Sequence, residues 1–396
     1  MSVPERVQRI VVRSDLTSEE EELLARAELL GLAPAEAWTA DGTSAELAWA
    51  THGAIRWFGK LPPPVVRHLV LTHSQPGDLV WDPMCGAGTT GVECALLGRR
   101  ARLRDVSPLS LLAARVKTRR LARADVEAAA ERVAANTEEE PFEPVGLRNA
   151  AHWFLPETAR SLRRLRTGAR AEPDPAVREA VWLAFAATIR RVSRAGSEQG
   201  RIFLDAASAL EDAAPTFARR AAKIAAAVGA LPDADVEVSS GDLRHRPHDP
   251  PAPLVVLHPP YFNNYRYSGV QSLELAWLGY DHRAVNRGEV REFFKVGVPE
   301  NAARYVEDMH RVLANAAHLV TPGGVLALVI GDTVLREKHL PITRQVLDGP
   351  HGLRLEGVAV RVPRFTEASW VASQRRTGAL VGVKVSDFIL TLRKPA

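Results

Sequence analysis

The sequence predicts an α/β fold, a largely parallel sheet interrupted by a helical insertion. Three observations predict it. Short apolar runs at 78–82 and 101–105 flank a Gly-rich turn and a helical stretch, the spacing of a strand–helix–strand unit. Residues 120–232 are Ala- and Arg-rich and carry helical periods. From 233 onward the strand–helix rhythm returns.

Length and composition bound the answer. A chain of 396 residues, 46% hydrophobic, allows one large domain with an insertion, or two domains. No apolar run approaches the ~18 residues of a membrane span. The first residues lack the apolar core of a secretory signal. Cys85 and Cys94 are the only cysteines, with neither metal-site spacing nor a disulfide framework, so a reducing cytoplasm is expected. Formal net charge is +4, and 44 of the 51 basic residues are Arg. Arg suits phosphate and base-edge contacts. Coding bias explains most of that excess, so charge only mildly favours a polyanionic partner.

Residues 1–48 read as a helical lead-in. Ser18-Glu19-Glu20-Glu21 opens a capping-box helix, and Pro34 is placed to open a second. Residues 49–119 form the first βα part, with helices expected through Leu97 and over 109–120. Helical periods in the insertion cover 123–135, 157–167, 175–193, 203–211 and 215–229, broken at Pro141, Pro144, Pro173, Pro175 and Pro232. In 233–396, strands are expected at 236–239, 254–257, 325–330, 355–362 and 388–392, with a helix over 302–319.

The first candidate site is Asp82-Pro83-Met84-Cys85-Gly86-Ala87-Gly88-Thr89-Thr90. A Gly-rich turn after a strand lets backbone approach a ligand, and the helix start offers free N–H groups. Gly86 to Gly91 also matches G-x-G-x-x-G, the dinucleotide fingerprint. Asp82 at the strand end argues against pyrophosphate, which it would repel. A cationic sulfonium ligand with an α-amino group would be attracted by it. Asp105, at the end of the next strand, can accept from ribose hydroxyls. Asp242, after the third strand, can accept from an adenine amino group. Cys85 reads as a small buried thiol.

The second candidate site is His258-Pro259-Pro260-Tyr261, following the apolar run 254–257. In open α/β sheets ligands gather at such carboxyl ends. Two prolines fix the backbone and remove two N–H donors, leaving carbonyl acceptors and an aromatic face. That set suits an amino group on an aromatic ring. The Pro259 carbonyl and the residue-258 side chain would accept from the amine, and Tyr261 would stack on the ring.

Together the two motifs resemble those of the DNA amino-methyltransferases, which form N6-methyladenine or N4-methylcytosine, in the branch where the cofactor motif comes first. The resemblance covers 50–120 and 235–395. It implies a Rossmann-like S-adenosylmethionine-dependent methyltransferase fold with a seven-stranded mixed sheet. Strands 325–330 and 388–392 would be its closing antiparallel part, and Thr51 to Arg67 would close over the cofactor. It implies S-adenosylmethionine held by Asp82, Pro83, Cys85, Gly86, Gly88, Thr89, Thr90, Asp105 and Asp242, with His258, Pro259, Pro260 and Tyr261 as the catalytic turn and no metal. Duplex DNA with a flipped base would be the substrate, and a cognate restriction or defence partner is conceivable. Met84 replaces the family's Phe, and His258 replaces its Asp, Asn or Ser. Neutral imidazole accepts a hydrogen bond and imidazolium does not. Activity is therefore expected to fall as His258 protonates, and a profile flat from about pH 5.5 to 8 would count against it.

DNA contacts are expected from Arg190, Arg191 and Arg194, from Arg375 and Arg376, and from Asn263, Tyr265 and Arg266 beside the catalytic turn. The insertion 120–232 is where target recognition would lie. Rival readings are an RNA or protein amino-methyltransferase, a small-molecule N-methyltransferase, and a non-catalytic nucleic-acid-binding relative. Carbon-5 cytosine methylation is disfavoured, because neither cysteine follows a proline.

Overall fold

The computed structural model describes residues 5–40, 42–43, 45–198, 201–205, 210–262, 267–290, 300–335, 338–362 and 387–396. In chain order the N-terminal part has α1 (Glu5–Gln8), β1 (Ile10–Arg13), α2 (Ser18–Arg26) and β2 (Ala35–Ala40). The first βα part has α3 (Pro63–His73), β3 (Leu79–Asp82), α4 (Thr89–Leu96), β4 (Arg100–Asp105) and α5 (Pro108–Thr118). The insertion holds α6 (Arg123–Ala135), α7 (Ala150–Trp153), α8 (Pro156–Ala171), α9 (Pro175–Ile189), β5 (Ala195–Glu198), β6 (Arg201–Leu204) and α10 (Ala213–Gly229). Then come β7 (Val236–Ser240), β8 (Ala252–Leu257), α11 (Tyr267–Val270), α12 (Ser272–Leu278), α13 (His282–Gly288) and α14 (Glu300–His318). The chain closes with β9 (Val320–Ile330), β10 (Thr333–Leu335), β11 (Lys338–Leu340), α15 (Ile342–Leu347), β12 (Arg354–Arg361) and β13 (Asp387–Arg393).

One sheet organises the molecule, in the order β1-β2-β12-β13-β9-β8-β3-β4-β7. Among the described residues it has nine strands, where seven were expected. The five strands β7, β4, β3, β8 and β9 run parallel. β13 is antiparallel to both β9 and β12. The two further strands come from the N-terminal segment: β2 pairs parallel with β12, and β1 antiparallel with β2. Residues 1–48 are thus not simply a helical lead-in. The capping box at Thr17 and Glu20 does start α2, but after Pro34 the chain enters β2 rather than a helix. In the insertion, part of the expected helix over 203–211 is instead the hairpin strand β6, paired with β5.

Side-chain alternation along each strand feeds two cores. Val80, Leu254, Val256, Val325 and Ala327 face α3 and α4. Trp81, Val255, Leu257, Leu326 and Leu328 face α2, α14 and α15. A third core joins α6, α8, α9 and α10 to the outer side of α5 and to Trp277 of α12. Chain order reverses between β3 and β8, so the carboxyl ends of β3, β4 and β8 open onto one crevice. That crevice receives Asp82, Asp105 and His258.

Candidate active site

The turn after β3 needs two left-handed backbones, Gly86 at φ 49° and Gly88 at φ 77°. A Cβ on Gly88 would lie 3.0 Å from Ala114 Cα, and one on Gly91 would lie 2.5 Å from Leu103 Cδ1. The glycines therefore serve the turn and also the close seating of α4 on β4 and α5. Asp105 reaches back to this turn, accepting from Gly86 N at 2.9 Å and Ser107 N at 2.9 Å. Asp82 accepts from Thr90 Oγ1 and Met84 N. Burial raises its pKa to about 7, against the pull of those hydrogen bonds, with the Asp105 charge adding to the rise. Asp105 is likewise raised, chiefly by burial. Two neighbouring buried carboxyls form a site that a cation would relieve. Lys117 is no such counter-charge. Its Nζ donates to Ala87 O at 2.6 Å, and burial lowers its pKa to about 7. Burial also pushes the Cys85 and Cys94 thiols up, away from thiolate chemistry.

A single cavity is lined by both motifs: Asp82 to Ala87, Thr89, Thr90 and Asp105 on one side, His258 and Pro260 on the other. Gly88, Pro259 and Tyr261 do not line it. Tyr261 is buried at 8% exposure, and its hydroxyl donates to Asp387 Oδ1 at 2.9 Å. Its ring stands edge-on to His258, at 5.3 Å between centroids. The stacking surface expected of Tyr261 is thus turned into the protein. Asp242 lines the cavity, but its carboxylate is forked by Arg244 at 2.6–3.0 Å, which with the hydrogen bonds outweighs burial and holds its pKa low. The acceptor expected of Asp242 is thus already engaged by Arg244. Burial lowers the His258 pKa to about 4, with Asp387 opposing and Arg361 assisting. Imidazole is therefore neutral across the range in which protonation was expected to stop activity, and the expected acid fall moves down toward pH 4.

Sequence reasoning named the stretch Thr51 to Arg67 as a cover for the cofactor but singled out none of its lining residues, and it missed the far wall. Trp57, Gly59, Lys60 and Leu61 reach the cavity from the segment between residues 49 and 67. That segment is fastened by Glu93 of α4, which is fully buried. Glu93 accepts from Arg67 Nη1 at 2.9 Å and Trp49 Nε1 at 3.2 Å, and meets His52 Nε2 at 2.8 Å. Trp57 lies against the turn, 3.3 Å from where a Gly86 Cβ would sit. Tyr267, Gln271 and Glu289 line the far wall. Glu289 accepts from Ser268 N and Oγ and from Asn286, while burial raises its pKa. No local motif marks these residues, because their positions depend on how α11 and α13 pack.

The arginines separate. Arg190 is committed to Glu274, with Nε to Oε1 at 2.8 Å and Nη2 to Oε2 at 2.9 Å, and also donates to Val270 O. It is a structural ion pair rather than a free clamp. Arg191 is exposed and lines a second groove with Arg56, Phe58 and Arg220, which Arg190, Glu211 and Glu274 also border. Gln271 borders both this groove and the cavity. Arg194 lies at the base of the β5–β6 hairpin, where its N–H bonds Trp153 O. Asn263, Tyr265, Arg266, Arg375 and Arg376 fall outside the described residues. Among the described residues, no cluster of three or more His, Cys, Asp or Glu is placed to hold a metal, and no helix is long and apolar enough to cross a membrane.

The sequence pattern of a DNA methylase family, the N6/N4 methyltransferases, matches residues 19–109, which include the Gly-rich turn and Asp105 and end before the insertion. The type II methyltransferase M.MjaII of Methanocaldococcus jannaschii is 38% identical over 66 residues, 17% of this chain and 12% of that protein. Among solved structures, TrmN of Thermus thermophilus overlaps 88% of this chain and 53% of its own, with 14% identity and a TM-score of 0.36. A TehB-like SAM-dependent methyltransferase of Corynebacterium glutamicum overlaps 84% and 87%, with 9% identity and a TM-score of 0.30. The chain thus spans about half the length of TrmN and matches a small part of M.MjaII.

Proposed function

We propose that this chain, whose residues 19–109 match the N6/N4 DNA methylase pattern, methylates the exocyclic amino group of a DNA base, cytosine N4 or adenine N6, with S-adenosylmethionine as donor. One observation carries the reading: the Gly-rich turn and the His258 turn line one cavity. The residues present fit the donor. Asp82 and Asp105 offer negative charge to a sulfonium and an α-amino group. Gly86 brings backbone close. The Ser107 hydroxyl borders the cavity, buried and without a partner among the described residues.

The donor supplies an electrophilic methyl. The amine nitrogen forms a bond to that carbon as the sulfur–carbon bond breaks, sulfur keeps the electron pair, and the nitrogen gives up one proton. A ring amine is a weak nucleophile because its lone pair is delocalised. His258, neutral and half-buried at the mouth of β8, accepts from that amine and holds it in line. Alignment of this kind is worth up to ~7–11 kcal/mol in favourable systems. A base in duplex DNA must be flipped to reach such a cavity. The adjoining groove suits the displaced backbone. Burial, and next the like charge of Arg191, pull the Arg220 pKa down, with Glu211 only partly opposing. A phosphate there would relieve both guanidinium groups.

The test is transfer of labelled methyl from S-adenosylmethionine to plasmid DNA, followed by nucleoside analysis. N4-methylcytosine or N6-methyladenine is the expected product. Label appearing in RNA and not in DNA would overturn the assignment of substrate.

A further inference from the structure

The proposed reaction needs a lone pair on His258 directed at the amine, and imidazole has two nitrogens that differ in which one carries the proton. A chain of hydrogen bonds behind His258 bears on that choice. Arg361, the last residue of β12, donates from Nε to Asp387 Oδ2 at 2.8 Å and from Nη2 to the same oxygen. Asp387, the first residue of β13 and its register partner, is 7% exposed. Its carboxylate can only accept. Tyr261 donates its hydroxyl proton to Asp387 Oδ1 at 2.9 Å. A phenol has one such proton, so toward His258 Nε2, 3.3 Å away, the Tyr261 oxygen is an acceptor. The reverse order would set carboxylate and phenol lone pairs against each other with no proton between them.

We infer that Asp387, acting through Tyr261, fixes His258 with its proton on Nε2, so that Nδ1 is the acceptor for the target amine. Among the described residues no group bonds Nδ1, and His258 lines the cavity. Tyr261 is thereby assigned to orienting the imidazole rather than stacking on the base. Asp387 and Arg361 are positioning residues, brought to the crevice because β13 runs antiparallel and starts where β8 ends. The inference rests on the amine-methylation reading. In that reaction the proton shed by the nitrogen passes to Nδ1 as the nitrogen–methyl bond forms, and then to water. The transient imidazolium still donates to Tyr261, with the charge of Asp387 beyond.

The test uses the full chain labelled with 15N-histidine, the His258 signals being identified by their loss in His258→Asn. Two-bond proton–nitrogen correlations distinguish the tautomers. The wild type is expected to show protonated Nε2 alone. Tyr261→Phe and Asp387→Asn are expected to admit the Nδ1-protonated form. Their kcat should fall on the order of 100-fold, the lower end of proton-transfer effects, while donor affinity by calorimetry stays within about twofold. Tyr261→Phe leaves the Arg361–Asp387 pair intact and decides the matter if Asp387→Asn does not fold. Protonated Nδ1 in an active wild-type enzyme overturns this inference alone, as do variants that lose activity while keeping the Nε2 pattern. A wild type that transfers methyl to neither DNA nor RNA overturns the functional reading, whatever the tautomer.

Discussion

The Gly-rich turn and the His258 turn face the same cavity, yet they are built in opposite ways. The first is nearly self-contained. Its shape comes from two left-handed glycines, its anchor from Asp105 one strand away, and its seat from Gly91 against Leu103. The second is assembled from three strands, because His258 is set by Tyr261, then Asp387, then Arg361. On the proposed reading, the donor site can be written largely in one short segment because that segment's own backbone sets its shape. An acceptor whose proton must sit on one particular nitrogen needs partners that the segment cannot supply.

The largest effect expected separates the two halves outright. His258→Ala removes the proposed acceptor and leaves the Gly-rich turn untouched. Loss of a positioned proton acceptor costs ~10²–10⁴ in rate. The expected outcome is that kcat falls by about that factor while the calorimetric affinity for S-adenosylmethionine stays within about twofold. Joint loss of both would merge the two regions into one structural unit. Gly88→Ala is the complementary change. It forces a Cβ onto a φ of 77° and to 3.0 Å from Ala114, a strain of about 1–3 kcal/mol. Donor affinity should weaken roughly 5- to 150-fold, with kcat at saturating donor less affected. A wild-type dissociation constant in this variant would show that the turn does not shape the donor site.

These contrasts also explain what the sequence could reveal. The strand–turn–helix at Leu79 to Leu96 is local, so apolar run, glycines and helix signal all lie within one window. The same holds for β8, whose alternate residues feed two cores. The second strand of the N-terminal segment was not legible. Ala35 to Ala40 has an undistinguished local pattern, and it becomes a strand by pairing with Val358 to Val360 far along the chain. Tyr261 was legible as important, yet its direction was not. A Pro-Pro-Tyr turn offers an aromatic face, and only the arrival of β13 decides that the hydroxyl is drawn inward to Asp387. Glu289 and Gln271 reach the cavity from short helices whose packing no periodicity describes.

The pH response distinguishes the halves as well. Asp82 has a pKa raised to about 7 in the folded protein from an ordinary 3.8. Between those values the folded protein binds a proton that the unfolded chain has lost, so the ligand-free protein loses stability as pH rises through that window. A bound cation favours the ionised carboxylate, so affinity for S-adenosylmethionine should rise relative to that for the neutral thioether product as pH climbs toward about 7, and level off above it. The shift expected is several-fold, not more than about tenfold per pH unit. A donor-to-product affinity ratio that stays constant across that interval would remove Asp82 from the sulfonium's surroundings. His258, with a pKa near 4, should by contrast leave kcat flat from about pH 5.5 upward and lower it only in more acid solution.

The smallest effects expected concern the arginines, where neighbours in sequence differ in what holds them. Just past α9, Arg190 and Arg191 both border the groove, but Arg190 is committed to Glu274. Arg191→Ala and Arg220→Ala should each weaken DNA binding almost uniformly across sequences and lower the slope of log affinity against log salt by about one. Arg190→Ala should lower thermal stability, since Glu274 would be left with 11% side-chain exposure and no guanidinium, but leave the slope unchanged. A reduced slope in Arg190→Ala with none in the other two would mean that the ion pair opens on the nucleic acid and that Arg191 and Arg220 do not contact it. Equal slopes in all three would place the phosphate contacts elsewhere. In either case the His258 and Gly88 variants would still divide transfer from donor binding, because neither residue touches that groove.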